Sequence, residues 1–299
     1  MNEQTRPQTS ADTNLSFQNP RNSSSLKRLI LCLACIGASI QLTWFLFAGA
    51  SPADHAATSA ADKTVGPPAD KPRSPTKNGS AQFQFARLRY PGGIPDFIKN
   101  WYTDYPAMDE HLTNLMRRMT NIDVAAPMVV APSSWSLFDY PLIYSVEPEQ
   151  MVLGPNDAEN LREYLARGGL WFADDFHGDE EFNQFLKQID RVLPEASVVE
   201  LDTLHPLFHC FYKIDKIIQV TNDSIAKCKD CDQWENGESG KIPKVFAILD
   251  PKGRISVLMA WNTDLGDGLE WADDPDYPAK YSTYSFKFLT NVIVYAMTH

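Results

Sequence analysis

From Leu29 to Ala50 the chain reads LILCLACIGASIQLTWFLFAGA, a stretch without a single charged side chain. At 1.5 Å per residue such a helix is long enough to cross about 30 Å of hydrocarbon, and only a helix satisfies the backbone amides there. Arg21, Lys27 and Arg28 precede it and Asp54 follows. That asymmetry predicts an N-inside, single-pass anchor with the rest of the chain outside the cytoplasm. The competing reading is a cleaved signal sequence, since Ala48-Gly49-Ala50 matches a small-x-small cleavage pattern. Attachment of lipid at Cys35 is disfavoured by the poor lipobox Cys32-Leu33-Ala34.

Four segments follow from this division. Residues 1–28 form a polar cytoplasmic tail, 29–50 the span, 51–80 a linker and 81–299 an α/β domain. The linker carries Pro67-Pro68, Pro72 and Pro75 among Ala, Ser, Asp and Lys, and lacks apolar residues to bury, so it reads as a flexible tether. A net charge of -11 argues against a nucleic-acid partner, which needs a basic patch to meet phosphates.

In the last segment strand and helix patterns alternate. Phe83 to Tyr90 reads as a strand with exposed alternate arginines, closed by Pro91-Gly92-Gly93. Leu112, Leu115, Met116 and Met119 recur at helical spacing, and Met128 to Val130 and Pro141 to Val146 read as strands. Asn156 with Glu159 suggests a capping box for the next helix, which Gly168-Gly169 terminates. Leu170 to Ala173 is a buried strand, Phe182, Phe185, Leu186 and Ile189 a helix, and Ser197 to Leu201 a strand. Val245 to Leu249 and Ile255 to Trp261 form a hairpin around Asp250-Pro251-Lys252-Gly253. Phe286, Leu289, Ile293 and Ala296 lie on one face of a closing helix. This alternation implies a mostly parallel sheet covered on both faces, whose ligands bind beyond the carboxyl ends of its strands.

That rule selects the polar residues with chemistry to offer. Asp174, Asp175, His177 and Asp179 follow a strand, where acids and an imidazole can position a proton donor and acceptor or hold a cation, or simply cap the next helix. His205 and His209 flank Pro206 at the spacing of two histidines on one helical face, against a purely structural role. Asp264, Asp267 and Glu270 follow another strand, and can gather a hard cation or belong to an ordinary turn-rich loop. Arg89, with Arg87, stands beside a glycine turn that can receive an anion. No metal-ligand set or cofactor motif is assigned: the phosphate-loop pattern is missing, and so are GxSxG and a cysteine in a glycine elbow. Cys228 and Cys231 form a lone CxxC, open to a local disulfide or plain thiols, a metal clip or redox chemistry, with an oxidising compartment favouring the first.

A series of short motifs resembles a known family. Arg87-Leu88-Arg89-Tyr90, Phe138-Asp139-Tyr140-Pro141, Leu161-Arg162 through Gly168-Gly169, Ala173-Asp174-Asp175-x-His177-Gly178, His205-Pro206-Leu207-Phe208-His209 and the closing Asn291 to His299 are similar to bacterial proteins of domain-of-unknown-function family 4159. The resemblance implies the fold of the class I glutamine amidotransferase superfamily, a flavodoxin-like three-layer sandwich. Asp174-Asp175 stand where those enzymes carry a cysteine elbow, so it implies no amidotransferase chemistry; the family has no established activity.

The leading expectation is a membrane-tethered domain that binds a small ligand or an envelope protein partner at a cleft of Asp174, Asp175, His177, His205 and His209. The alternatives are a hydrolase, acting on glycosides or with a metal, that uses the same acids, and a purely structural module of an envelope complex.

Overall fold

A computed structural model describes residues 81–92 and 100–299. The expected tail, span and tether lie outside the described residues. Among the described residues, no helix is long and apolar enough to cross a membrane.

Seven strands form one sheet in the described chain: β1 (Ala86–Leu88), β2 (Met128–Val130), β3 (Leu142–Val146), β4 (Leu170–Asp174), β5 (Val198–Leu201), β6 (Lys244–Leu249) and β7 (Ile255–Trp261). Their order is β2-β1-β3-β4-β7-β6-β5. The pairings from β2 across to β7 are parallel, while β6 runs antiparallel to both β7 and β5. The mixed α/β architecture with a mostly parallel sheet is the one the alternating pattern predicts.

The helices are α1 (Ala107–Met119), α2 (Pro155–Ala166), α3 (Gly178–Val192), α4 (Asp223–Lys227), α5 (Leu265–Glu270) and α6 (Ala279–Thr298). Side chains of a strand alternate between faces, so a strand covered on both sides must be apolar throughout. In β4, Leu170 and Phe172 join the core under α1, α5 and α6, while Trp171 and Ala173 join the core under α2 and α3. β7 divides likewise, Leu258 and Ala260 against Val257 and Met259.

The structure amends three local expectations. The regular part of the first strand is short, because Phe83 makes only an isolated bridge to Val124. Its Arg87 is fully buried rather than exposed, since β1 is an interior strand with helices on both faces. The α2 cap is Gly154 rather than Asn156: Pro155 takes the first helical position, and the Asp157 carboxylate accepts from the Gly154 N–H at 2.9 Å. The β6–β7 hairpin is built as expected, with Asp250 Oδ1 accepting from the N–H groups of Lys252 and Arg254, and Gly253 in a left-handed conformation.

Candidate functional site

Three adjacent parallel strands leave the sheet through non-glycine residues in the left-handed region: Glu147 after β3, Asp175 after β4 and Asn262 after β7, with φ of 47°, 58° and 59°. Such conformations cost on the order of 1 kcal/mol each and recur where side chains must be re-aimed. Asn262 is held there by its own side chain, which accepts from Gly178 N–H and donates to the carbonyls of Ser239 and Ile242.

Asp174, the last residue of β4, is fully buried. Its Oδ2 accepts from the Tyr144 hydroxyl and from Gly266 N–H, both at 3.0 Å. Burial pushes its pKa up to about 8, and the neighbouring Asp175 charge adds to the shift. Asp175 Oδ1 lies 3.1 Å from Nε2 of His177, and Glu235 approaches the same nitrogen at 3.9 Å. Burial disfavours the imidazolium, but the Asp175 hydrogen bond and the charges of Glu235 and Asp175 outweigh it and hold His177 above its ordinary value.

Asp264 caps α5, its Oδ1 accepting from Asp267 N–H at 2.8 Å. Asp267 accepts from Asp223 N–H at 2.6 Å through Oδ2. A further acid comes from the segment after β1: Asp104, itself left-handed at φ 64°, is 7% exposed. Ligand oxygens of Asp104, Asp175 and Asp264 lie within 4.8 Å of one another, and so do those of Asp104, Asp267 and Glu270. Asp104 thus belongs to both groups. Burial, with repulsion from Asp267 and Asp175, holds Asp104 well above the carboxylate range. Asp264 is raised in the same way, by burial and by Asp175, Asp267 and Asp104. Burial and Asp175 push Asp267 up to about 7, and burial also raises Glu270.

The cation buried nearest these acids is already engaged. Arg87 forks onto Asp109, with Nε and Nη2 at 2.9 Å and 2.5 Å from Oδ2. Its Nη1 donates to the carbonyls of Trp101 and Thr103, which fixes the segment that carries Asp104. Gly266 completes the floor: a Cβ there would overlap Asp104 Oδ2 and come within 3.1 Å of the Tyr144 hydroxyl.

Above the acids lies a cleft of about 800 Å³, lined by Tyr102, Asp104, Tyr105, Asp223, Asp267, Glu270 and Trp271 among others. Tyr102 and Tyr105 are 45% and 42% exposed. Carboxylates below and aromatic faces beside them can take hydroxyl or amine donors and stack an apolar ring.

Of the residues singled out from the sequence, the structure brings Asp174, Asp175, His177 and Asp264 together. The expected trio of Asp264, Asp267 and Glu270 does not form one group: Asp267 and Glu270 gather with Asp104, whereas Asp264 gathers with Asp104 and Asp175. The other candidates lie elsewhere. Asp179 is exposed in the first turn of α3, where it favours the helix N-terminus. Arg89 donates its backbone N–H to Val130 and pairs with none of these acids. His205 and His209 bracket a single turn of 3-10 helix, not one face of an α-helix. His205 Nδ1 accepts from Leu207 N–H, its ring packs on Tyr295, and His209 bonds to the Thr203 carbonyl. Tyr295 in turn reaches Ile255 at the start of β7, the end of the strand remote from the acids. Asp104 carried no motif, because nothing local distinguishes it from other loop acids.

Cys228 and Cys231 are joined by a disulfide in the loop after α4. That loop reaches the site, since Asn236 donates to the His177 carbonyl and Glu235 faces its ring. The free cysteine of the described residues, Cys210, is half-buried against the Asn291 carbonyl, away from the β4 turn. A search of curated proteins finds no match to the chain. Residues 84–297, nearly all of the described domain, match the family described as domain of unknown function DUF4159, and the chain belongs to that family.

Proposed function

We propose that this protein is a membrane-tethered, extracytoplasmic binding module. Leu29 to Ala50 anchors it in the inner membrane, the flavodoxin-like, amidotransferase-like domain lies in the periplasm, and a small polar ligand rich in hydroxyl or amine donors binds over the acid cluster without amidotransferase catalysis. The observation that carries the binding reading is the convergence of Asp104, Asp267 and Glu270 beneath a cleft walled by Tyr102, Tyr105 and Trp271. Acceptors in excess of donors select a ligand that supplies donors. The absence of amidotransferase chemistry is supported by the β4 turn, where Asp175 occupies the left-handed position that a nucleophilic cysteine would need.

The test uses the full-length chain in detergent with hexoses, polyols and diamines as probes, followed by ligand-observed NMR. Binding of one class, lost in Asp267→Asn and weakened in Trp271→Ala with unchanged circular dichroism, is expected. Binding unaffected by both substitutions would remove the cleft reading. Protease added outside spheroplasts should digest the domain, and protection would reverse the orientation.

A further inference from the structure

Three acids from the ends of different strands come together beneath the cleft-facing group. Asp104 follows β1, Asp175 follows β4 and Asp264 follows β7, yet all three are buried and each offers an oxygen within 4.8 Å of the others. Oxygens on opposite sides of a calcium ion, with bonds of about 2.3–2.6 Å, stand roughly 5 Å apart. The trio is therefore compact enough to share one ion.

Two of the three are steadied by neighbours: His177 holds Asp175, and the Asp267 N–H holds Asp264. Such support of carboxylates from behind is what orients ligands at metal centres. The third is the independent observation. Asp104 is 7% exposed, and no donor among the described residues reaches its Oδ2. A buried carboxylate oxygen beside other acids, with no donor to accept from, is satisfied either by its own proton or by a cation that displaces it. The charge of Arg87 favours the Asp104 anion from a distance, but its N–H groups go to Asp109, Trp101, Thr103 and Met108 and leave that oxygen without a donor.

We propose that Asp104, Asp175 and Asp264 bind one hard divalent cation of the calcium, magnesium or manganese class. Oxygen-only donors select these ions over zinc or copper. Asp104 is shared with the group that faces the cleft, so the cation sits under the ligand position; what it touches there rests on the binding reading above.

The full-length chain in detergent, stripped with EDTA and dialysed, is titrated calorimetrically with CaCl2, MgCl2 and MnCl2, and its melting is followed. One cation per chain and a melting temperature that rises with cation concentration are expected. Asp264→Asn weakens cation binding at least about tenfold. It nevertheless melts no lower than the metal-free parent, because it removes one of several repelling charges. Asp190→Asn, exposed on α3, leaves cation binding unchanged. Absence of heat and of a melting shift with all three ions, or parent-like binding by Asp264→Asn, overturns the cation site. Repeating the hexose, polyol and diamine probes in EDTA keeps the two readings apart. Ligand binding together with silent metal titrations overturns the cation alone, whereas cation binding with no response to any probe overturns the ligand reading and leaves the cation standing.

Discussion

Gly266 and Asp104 are packed so closely that a single methyl group on Gly266 would occupy the space of Asp104 Oδ2. Gly266 also donates its N–H to Asp174, so the backbone cannot retreat without losing that bond. Gly266→Ala should therefore destabilise the domain by about 1–3 kcal/mol, as overpacking does. It should also displace Asp104 and weaken cation binding more than its effect on stability would suggest. Urea unfolding and calorimetry on the same variant check both; a variant of parental stability with intact binding would show that Asp104 moves freely.

Arg87 and Asp109 form a fully buried ion pair. Removing the cation strands a buried carboxylate, and Arg87→Met should cost about 3–5 kcal/mol. The double variant Arg87→Met with Asp109→Leu should recover much of that loss, because no charge is then left unpaired. Recovery of folding without recovery of cation affinity is expected, since the Trp101 and Thr103 carbonyls would still lack their donor. Chemical denaturation and cation calorimetry on these two variants test this.

The metal-free protein should lose stability as pH rises. Asp174 and Asp267 have ordinary values of 3.8, and burial in the folded state pushes them up to about 8 and about 7. The folded chain thus holds protons that the unfolded chain has released, so stability falls from about pH 4 up to about pH 8. His177, raised by Asp175 and Glu235 despite its burial, acts in the same direction above its ordinary 6.5. Melting curves between these limits in EDTA should shift downward, and saturating calcium should flatten the trend; a melting temperature that climbs with pH in EDTA would contradict it.

The Cys228–Cys231 disulfide closes a very short loop. Its entropic contribution is accordingly small, about 2 kcal/mol or less. Cys228→Ser with Cys231→Ser should leave the fold intact. Because the same loop presents Glu235 and Asn236 to His177, which holds Asp175, cation affinity should fall more than stability does. Comparing melting with cation calorimetry for this variant decides the point.

His209→Ala and Asp179→Asn should each alter stability by less than about 0.5 kcal/mol, as surface changes do. Both should leave cation binding untouched, since one side chain bonds its own turn and the other faces solvent. A loss of binding in either would mean that the site extends beyond the acids identified.

Much of the fold was legible in the chain. Leu170 to Ala173 is apolar at every position, which only a strand covered on both faces requires, and the Asp250 to Gly253 turn is written in its own residue types. The rule that ligands gather beyond strand carboxyl ends also led directly to Asp174, Asp175 and Asp264. These are local or periodic properties, and period and turn chemistry act over a few residues.

Three things only the tertiary structure decided. Arg87 became a buried support, because its environment depends on which strands flank β1, and strand order is not encoded near it. His205 and His209 went to the far side, because one turn of 3-10 helix does not align residues as an α-helix does. Asp104 joined Asp175 and Asp264, although the three lie far apart in sequence. Electrostatic energy depends on distance in space and on burial, and neither exists until the sheet has brought the ends of β1, β4 and β7 to one edge.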